Sequence, residues 1–153
     1  MNSQIAVKIQ LYTKCVEFAD QRINNIQSAL ATASESGNDE TKSSAGDKHE
    51  TGRAMMQLEQ ENNSAQLSEA LELKKKILKI NPNQPSSIIK PGSLVITNRG
   101  AFYIAISVGK IQIGGVVYYA VSPVSPIAIK LMGMSAHQET DFNGQLFKII
   151  SIA

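Results

Sequence analysis

The sequence has few of the features that would place it in a specialised class. Cys15 is its only cysteine, so no internal disulfide can form and the fold does not depend on an oxidising compartment. No apolar run approaches the ~18 residues of a membrane helix. Lys8, Lys14 and Glu17 interrupt the segment where a signal peptide needs an apolar core. The formal net charge of +2 is too small to indicate nucleic-acid binding. We therefore expect a cytoplasmic, non-membrane protein.

Two kinds of enzyme site are also missing from the sequence. The stretch "VGKIQIGG" (108–115) lacks the spacing of a nucleotide-binding P-loop. A thiol nucleophile is not indicated, because Cys15 lies inside a helical pattern with no histidine near it in sequence. We interpret Cys15 as a thiol that packs in a helix.

The first half of the 153-residue chain is predicted to be helical. Apolar residues recur at alternating steps of four and three, which is an a/d heptad seam. The seam consists of Ile5, Ile9, Tyr12, Val16, Ala19, Ile23, Ile26, Leu30 and Ala33. A second helix is predicted from about Glu50 to Ile80. The stretch "SESGNDETKSSAGD" (34–47) between them is rich in loop-forming residues. The two helices have matching lengths, so we expect an antiparallel hairpin within one chain, in a monomer.

After "NPNQPSS" (81–87) the pattern changes to strands. "GSLVITN", "AFYIAISV", "KIQIG" and "VVYYAVS" are rich in β-branched and aromatic residues and are punctuated by Gly and Asn. "SPIAIKLMG" (125–133) predicts a short helix with Ser125 as N-cap and Gly133 as its stop. The last segment predicts a hairpin that turns at Asn143-Gly144. The expected fold is α+β, with an antiparallel coiled-coil hairpin over residues 1–82 and a small antiparallel β domain with one helix over residues 83–153.

An acidic pair stands where the second helix is expected to begin. Asp47 and Glu50 are three residues apart, so on a helix their side chains share one face and could converge on one ion. The same spacing also fits a capping box, in which Asp47 caps the helix and Glu50 completes the box. Asp39 and Glu40 form a second acidic pair nearby. The spacing alone leaves the metal site and the capping box open.

Three stretches resemble the GreA/GreB family of bacterial transcript-cleavage factors. "AGDKHET" is similar to the family's Gly-Asp-x-x-Glu-Asn tip, and "PGSLVIT" to the start of its C-terminal domain. "VSPVSPIAIKLMGM" resembles the family's Ile-Ser-x-x-Ser-Pro-Ile-Ala-x-x-Leu-Ile-Gly-Lys segment. This last match comprises Ser122, Ser125, Pro126, Ile127, Ala128, Leu131 and Gly133.

The resemblance implies a fold and a function. The C-terminal domain would be FKBP-like and would dock on RNA polymerase at the secondary channel, through a segment that contains Ser125, Pro126, Ile127 and Ala128. The hairpin would enter the channel and promote cleavage of backtracked RNA near its 3′ end. Asp47 and Glu50 would hold Mg²⁺ shared with the polymerase, an ion that the isolated protein binds poorly. The protein would not be an enzyme by itself but would stimulate cleavage by the polymerase.

The tip departs from the family pattern and leaves alternatives open. Lys48 and His49 stand between the two acids, and Thr51-Gly52-Arg53 follows them. This altered tip is compatible with a regulator that occupies the secondary channel without cleaving RNA. A third candidate, an FKBP-like chaperone or prolyl isomerase, would be fold analogy only. The cluster of Lys74, Lys75, Lys76 and Lys79 is interpreted as a solvated helix face or as a steering patch for an acidic surface.

Overall fold

The computed structural model of the protein describes the backbone of residues 2–42 and 46–153, and the side chains of residues 3–32 and 52–153. Contacts divide the chain into two compact units. The first, here the basal unit, combines Met1–Phe18 with Lys75–Ala153; the second, the hairpin unit, is Ala19–Lys74. The predicted boundary between domains after residue 82 concerns independent folding and stays a prediction.

Two long helices form the predicted hairpin. Helix α1 is Asn2–Lys42 and helix α2 is Gly46–Leu78. The prediction that residues 34–47 form the loop was wrong, because α1 ends later and α2 begins earlier than the composition indicated. One Gly inside a helix costs only about 1 kcal/mol relative to Ala. A helix of 41 residues can absorb that cost.

Inside the hairpin unit the predicted heptad register is confirmed. Ile23 and Ile26 are buried in one cluster with Ala70 of α2, and Leu30 and Leu67 pack at its side. Ala19, one step earlier in the seam, is also buried. Burial at steps of four and three is what two helices achieve when each presents one apolar stripe to the other.

In the basal unit the predicted register was wrong by one position. Leu11 and Cys15 are completely buried there, whereas Ile9, a predicted seam residue, is 39% exposed. Tyr12 and Val16 are only partly buried. The physical reason is that the first turns of α1 contact residues outside α2. The Gln4 side chain donates a hydrogen bond to Ser151 Oγ at 3.1 Å, and this neighbour draws a different face of α1 inward.

The described part of the second half contains a six-stranded sheet in the order β3-β4-β2-β1-β6-β5. Its strands are β1 (Leu94–Thr97), β2 (Gly100–Ile104), β3 (Gly109–Ile113), β4 (Val116–Val121), β5 (Glu139–Phe142) and β6 (Gln145–Ile152). The α+β class is therefore confirmed. So is the last hairpin, whose turn residues Asn143 and Gly144 both have positive φ, at 52° and 76°, as a type I′ turn requires.

The sheet is mixed rather than antiparallel, which corrects the prediction. β2 and β4 pair in parallel, with Ala101 opposite Tyr118 and Ile104 opposite Val121. Residues 105–108 cross the end of β4, where the amides of Ala105 and Val108 donate to the carbonyls of Val121 and Ala120 at 2.9 and 3.2 Å. This crossing places β3 on the outer side of β4, so that β4 runs beside β2 in the same direction.

The predicted short helix packs on one face of this sheet. Helix α3 is Pro126–Leu131. It contributes Ala128 and Leu131 to a buried cluster with Val95, Ile104 and Ile149. Gly133 has a φ of 81°, the left-handed conformation that commonly follows the end of a helix. No helix in the described ranges is long and apolar enough to cross a membrane.

Candidate functional site

The acidic tip is only partly visible in the structure. Asp47 and Glu50 fall at the second and fifth positions of α2 (Gly46–Leu78), so their three-residue spacing lies in one helix. The prediction of a capping box with Asp47 as N-cap was wrong, because α2 begins one residue before Asp47 and an N-cap precedes the first helical residue. Asp39 and Glu40 fall within α1 (Asn2–Lys42). The side chains of all four, and that of His49, lie outside the described residues. Their roles at the tip therefore stay predictions.

The docking candidate, residues 122–133, is a well-defined capped helix. Ser125 Oγ donates to the Ser122 carbonyl at 2.7 Å and accepts from the Ala128 amide at 3.4 Å. Pro126 is at the start of the helix, where its missing N–H leaves no bond unmade. These contacts show that the Ser-Pro pair fixes where α3 begins.

The buried side of α3 cannot contact a partner. Ala128 is completely buried and Ile127 packs against the same cluster. By contrast, Val124 is 78% exposed and Ile129 is 62% exposed. Sequence reasoning missed both of these residues. The signal was present in the spacing, because burial of Ala128 and Leu131 at i and i+3 turns Ile129 to the other side of the helix.

A second feature that the sequence did not indicate lies in the basal unit. Lys8 is only 1% exposed, and its Nζ donates to the Gln84 carbonyl at 2.8 Å. Burial, and then the nearby positive charge of Lys90, lower the pKa of Lys8 below its usual 10.5. Beside Lys8 is a cavity of about 400 Å³ that Lys76, Lys79 and Lys90 also line.

The predicted lysine cluster is thereby divided between two places. The Lys74 ammonium lies 2.6 Å from the Asp20 carboxylate, in the hairpin unit. Lys76 and Lys79 face the basal cavity. A run of lysines at steps of one to three residues covers several faces of a helix, so its members have different neighbours.

Cys15 and Tyr103 form the buried interior under the first turns of α1. Burial raises the pKa of the Cys15 thiol to about 12, so the thiolate is almost absent at neutral pH. The Tyr103 hydroxyl is buried without a hydrogen-bond partner among the described residues. Burial raises the pKa of Tyr103, and the neighbouring Cys15 and Tyr12 add to the effect. The interpretation of Cys15 as a packing thiol is confirmed.

No group of three or more His, Cys, Asp and Glu side chains that could hold a metal occurs within residues 3–32 and 52–153. The tip acids are outside these ranges, so the search does not bear on them.

Comparisons with known proteins add little to these observations. No protein-family model matches the chain, and no curated protein matches it. Among solved structures, the chain is similar to that of the transcription factor Gfh1, at 16% identity and a TM-score of 0.36, over 90% of this chain and 92% of that one. At this identity and TM-score the likeness carries no argument about family or function.

Proposed function

We propose that the protein binds RNA polymerase at its secondary channel and promotes cleavage of backtracked RNA with the acidic tip of its hairpin. Residues 122–133 carry the proposal, because they hold the most specific resemblance to the GreA/GreB family in the chain. The order of a helical hairpin followed by a sheet with one short helix is compatible with that family. In this arrangement one unit holds the partner and the hairpin reaches its active site.

The docking contact is supplied by Ile129 on the exposed side of α3 and by Val124, two residues before α3. Val124 and Ile129 are large apolar side chains left mostly in water. Full burial of a valine or isoleucine side chain in an interface gains about 1.5–3 kcal/mol relative to leaving it exposed. Ser125 and Ala128 would act indirectly, because they hold α3 in place.

The tip would deliver two carboxylates to a site that belongs to the polymerase. Asp47 and Glu50 are oxygen donors, the ligand type that Mg²⁺ prefers, and one or two protein carboxylates are usual at phosphoryl-transfer sites. Bound Mg²⁺ would stabilise the oxygens that develop negative charge during RNA hydrolysis. Because two carboxylates are a weak site by themselves, we expect the free protein to hold Mg²⁺ poorly.

The docking half of the proposal is tested by binding to RNA polymerase. Val124→Asp and Ile129→Asp place a charge in the proposed contact, and each should weaken binding at least about tenfold, equivalent to ~1.4 kcal/mol. Val116→Asp is the matched control, because Val116 is also an exposed valine but lies on β4. Equal loss of affinity in all three variants, or none in any, would place the docking surface elsewhere.

A regulator that occupies the channel without cleaving RNA is the second candidate. Lys48 and His49, which stand between the tip acids, favour it, because added positive charge would compete with Mg²⁺ for the carboxylates. The two candidates share the docking surface and differ only in whether bound protein accelerates cleavage.

A further inference from the structure

The cavity beside Lys8 brings together positive charges from distant parts of the chain. Lys8 comes from α1, Lys76 from α2, Lys79 from the residues just beyond α2, and Lys90 from the segment before β1. All four line a cavity of about 400 Å³ in the basal unit. This volume is at the small end of the range for small-molecule sites, about 300–1,000 Å³.

Within residues 3–32 and 52–153, no acidic side chain balances these lysines. None of the residues that line the cavity is Asp or Glu. Among the described side chains, none of the four ammonium groups lies within ion-pairing distance of a carboxylate. Like charges gathered in one cavity repel each other, more strongly where protein excludes water. The arrangement therefore raises the local affinity for an anion.

The position of α2 accounts for only part of the cluster. Cations near the last turn of a helix interact favourably with its dipole, which explains Lys76 and Lys79 near the end of α2 at Leu78. It does not explain Lys90 or Lys8. Lys8 is the stronger evidence for an anion. Its ammonium group has three hydrogen-bond donors, and its one described bond is to the Gln84 carbonyl. A buried cation with a single neutral partner is unfavourable unless a negative charge joins it.

We propose that this cavity binds a small anion that carries two or more phosphate groups. Phosphate oxygens would accept hydrogen bonds from the lysines, and several charges on one ligand match several ammonium groups. The cavity also has an apolar wall, formed by Ile80, Pro91, Ala105 and Pro123, which suits an organic group attached to the phosphates. Free pyrophosphate and a nucleoside diphosphate share this chemistry.

The test is calorimetric titration of the full chain with pyrophosphate, in buffer of constant ionic strength. Lys79→Gln and Lys90→Gln each remove one charge at an exposed residue, so neither threatens the fold. Each should weaken binding about fivefold, the effect of one unit charge at ~4 Å in water. Lys110→Gln is the matched control, because Lys110 is an exposed lysine of β3 in the same unit and should leave the affinity unchanged.

A second titration with adenosine diphosphate separates the two sources of phosphate. Tighter binding than pyrophosphate supports an organic phosphate that uses the apolar wall. Equal binding supports recognition of the phosphates alone.

Three results would overturn the proposal. The first is that pyrophosphate binds no more tightly than chloride. The second is that Lys110→Gln weakens pyrophosphate binding as much as Lys79→Gln and Lys90→Gln do. The third is selective binding of an acidic peptide such as oligoglutamate, with no binding of pyrophosphate. The experiment uses no polymerase, so its failure is distinct from a failure of the docking proposal.

Discussion

The first turns of α1 and its continuation in the hairpin unit bury different faces of the same helix. In the hairpin unit the buried positions are Ala19, Ile23 and Ile26, and Ile23 and Ile26 pack against Ala70 of α2. In the basal unit they are Lys8, Leu11 and Cys15, and their neighbours include Gln84. From Leu11 to Ile23 the buried positions follow one another at three successive steps of four residues. A heptad seam would instead alternate steps of four and three residues.

This difference shows that a helix has no fixed buried face of its own. Where the partner is one other helix, a heptad stripe is sufficient. Where loops and strands also contact the helix, their positions decide which side chains are buried. In the basal unit these include a lysine, Lys8. Register errors in a long helix are therefore expected at the place where its partner changes.

The largest expected effect separates neighbouring residues in the basal unit. Leu11→Ala should lower the free energy of unfolding by about 2–5 kcal/mol, because Leu11 is completely buried and the variant leaves a cavity. Ile9→Ala should cost less than about 1.5 kcal/mol, because Ile9 keeps 39% of its surface in water. Urea unfolding of both variants measures the difference. If Ile9→Ala proved the more damaging change, the heptad register would extend through the basal unit after all.

An intermediate effect is expected in alkaline solution. Burial raises the pKa of Cys15 from 9.0 to about 12, so above pH 9.0 the unfolded chain loses a proton that the folded chain keeps. Stability is then lost as pH rises, by up to about 1.4 kcal/mol per pH unit. The measurement is the free energy of unfolding of the wild type and of Cys15→Ala between pH 8 and 11.

The difference between those two chains removes the part of the Tyr103 contribution that comes from burial, and keeps the smaller part that Cys15 itself adds. If the difference in unfolding free energy between the two chains does not change with pH, it reports only the cavity that the substitution leaves. That result would mean that the Cys15 thiol is not desolvated.

The smallest expected effect has the opposite sign and concerns Lys8. Its pKa is lowered from 10.5 in the folded state, so as pH rises toward 10.5 the folded chain releases a proton that the unfolded chain keeps. The wild type should therefore gain stability relative to Lys8→Met over that window. The pH dependence of the difference in unfolding free energy between the two chains measures it. A wild type that instead gained relative stability as pH fell would show that Lys8 has an anionic partner in the free protein.

Much of the second half could be predicted because its signals are local. The first four strands follow from runs rich in β-branched and aromatic residues that Gly and Asn punctuate, and the last two follow from the turn signal at Asn143-Gly144. The start of α3 follows from Ser125 and Pro126, which act on their own neighbours. The parallel pairing of β2 with β4 could not be predicted, because strand direction depends on where residues 105–108 cross.

The missed parts of the candidate sites depend on distant contacts. Lys8 is indistinguishable from a surface lysine in sequence, and its bond is to Gln84, 76 residues away. Val124 and Ile129 belong to an apolar stretch whose exposed members are decided by packing against the sheet. The tip acids differ from these residues, because the sequence and the family resemblance indicated them. Their proposed role rests on that sequence and resemblance alone.

The most direct test of the account is RNA cleavage in a stalled, backtracked RNA polymerase complex, with wild type, Asp47→Asn and Glu50→Gln. Both variants remove charge but little volume. If the carboxylates hold Mg²⁺, cleavage should fall by orders of magnitude in each variant while affinity for the polymerase changes little. If they only stabilise the first turn of α2 through their negative charge, both variants should cleave almost normally. Full cleavage by both variants would contradict the account and point to Asp39 and Glu40, and no cleavage by the wild type would leave the non-cleaving regulator in its place.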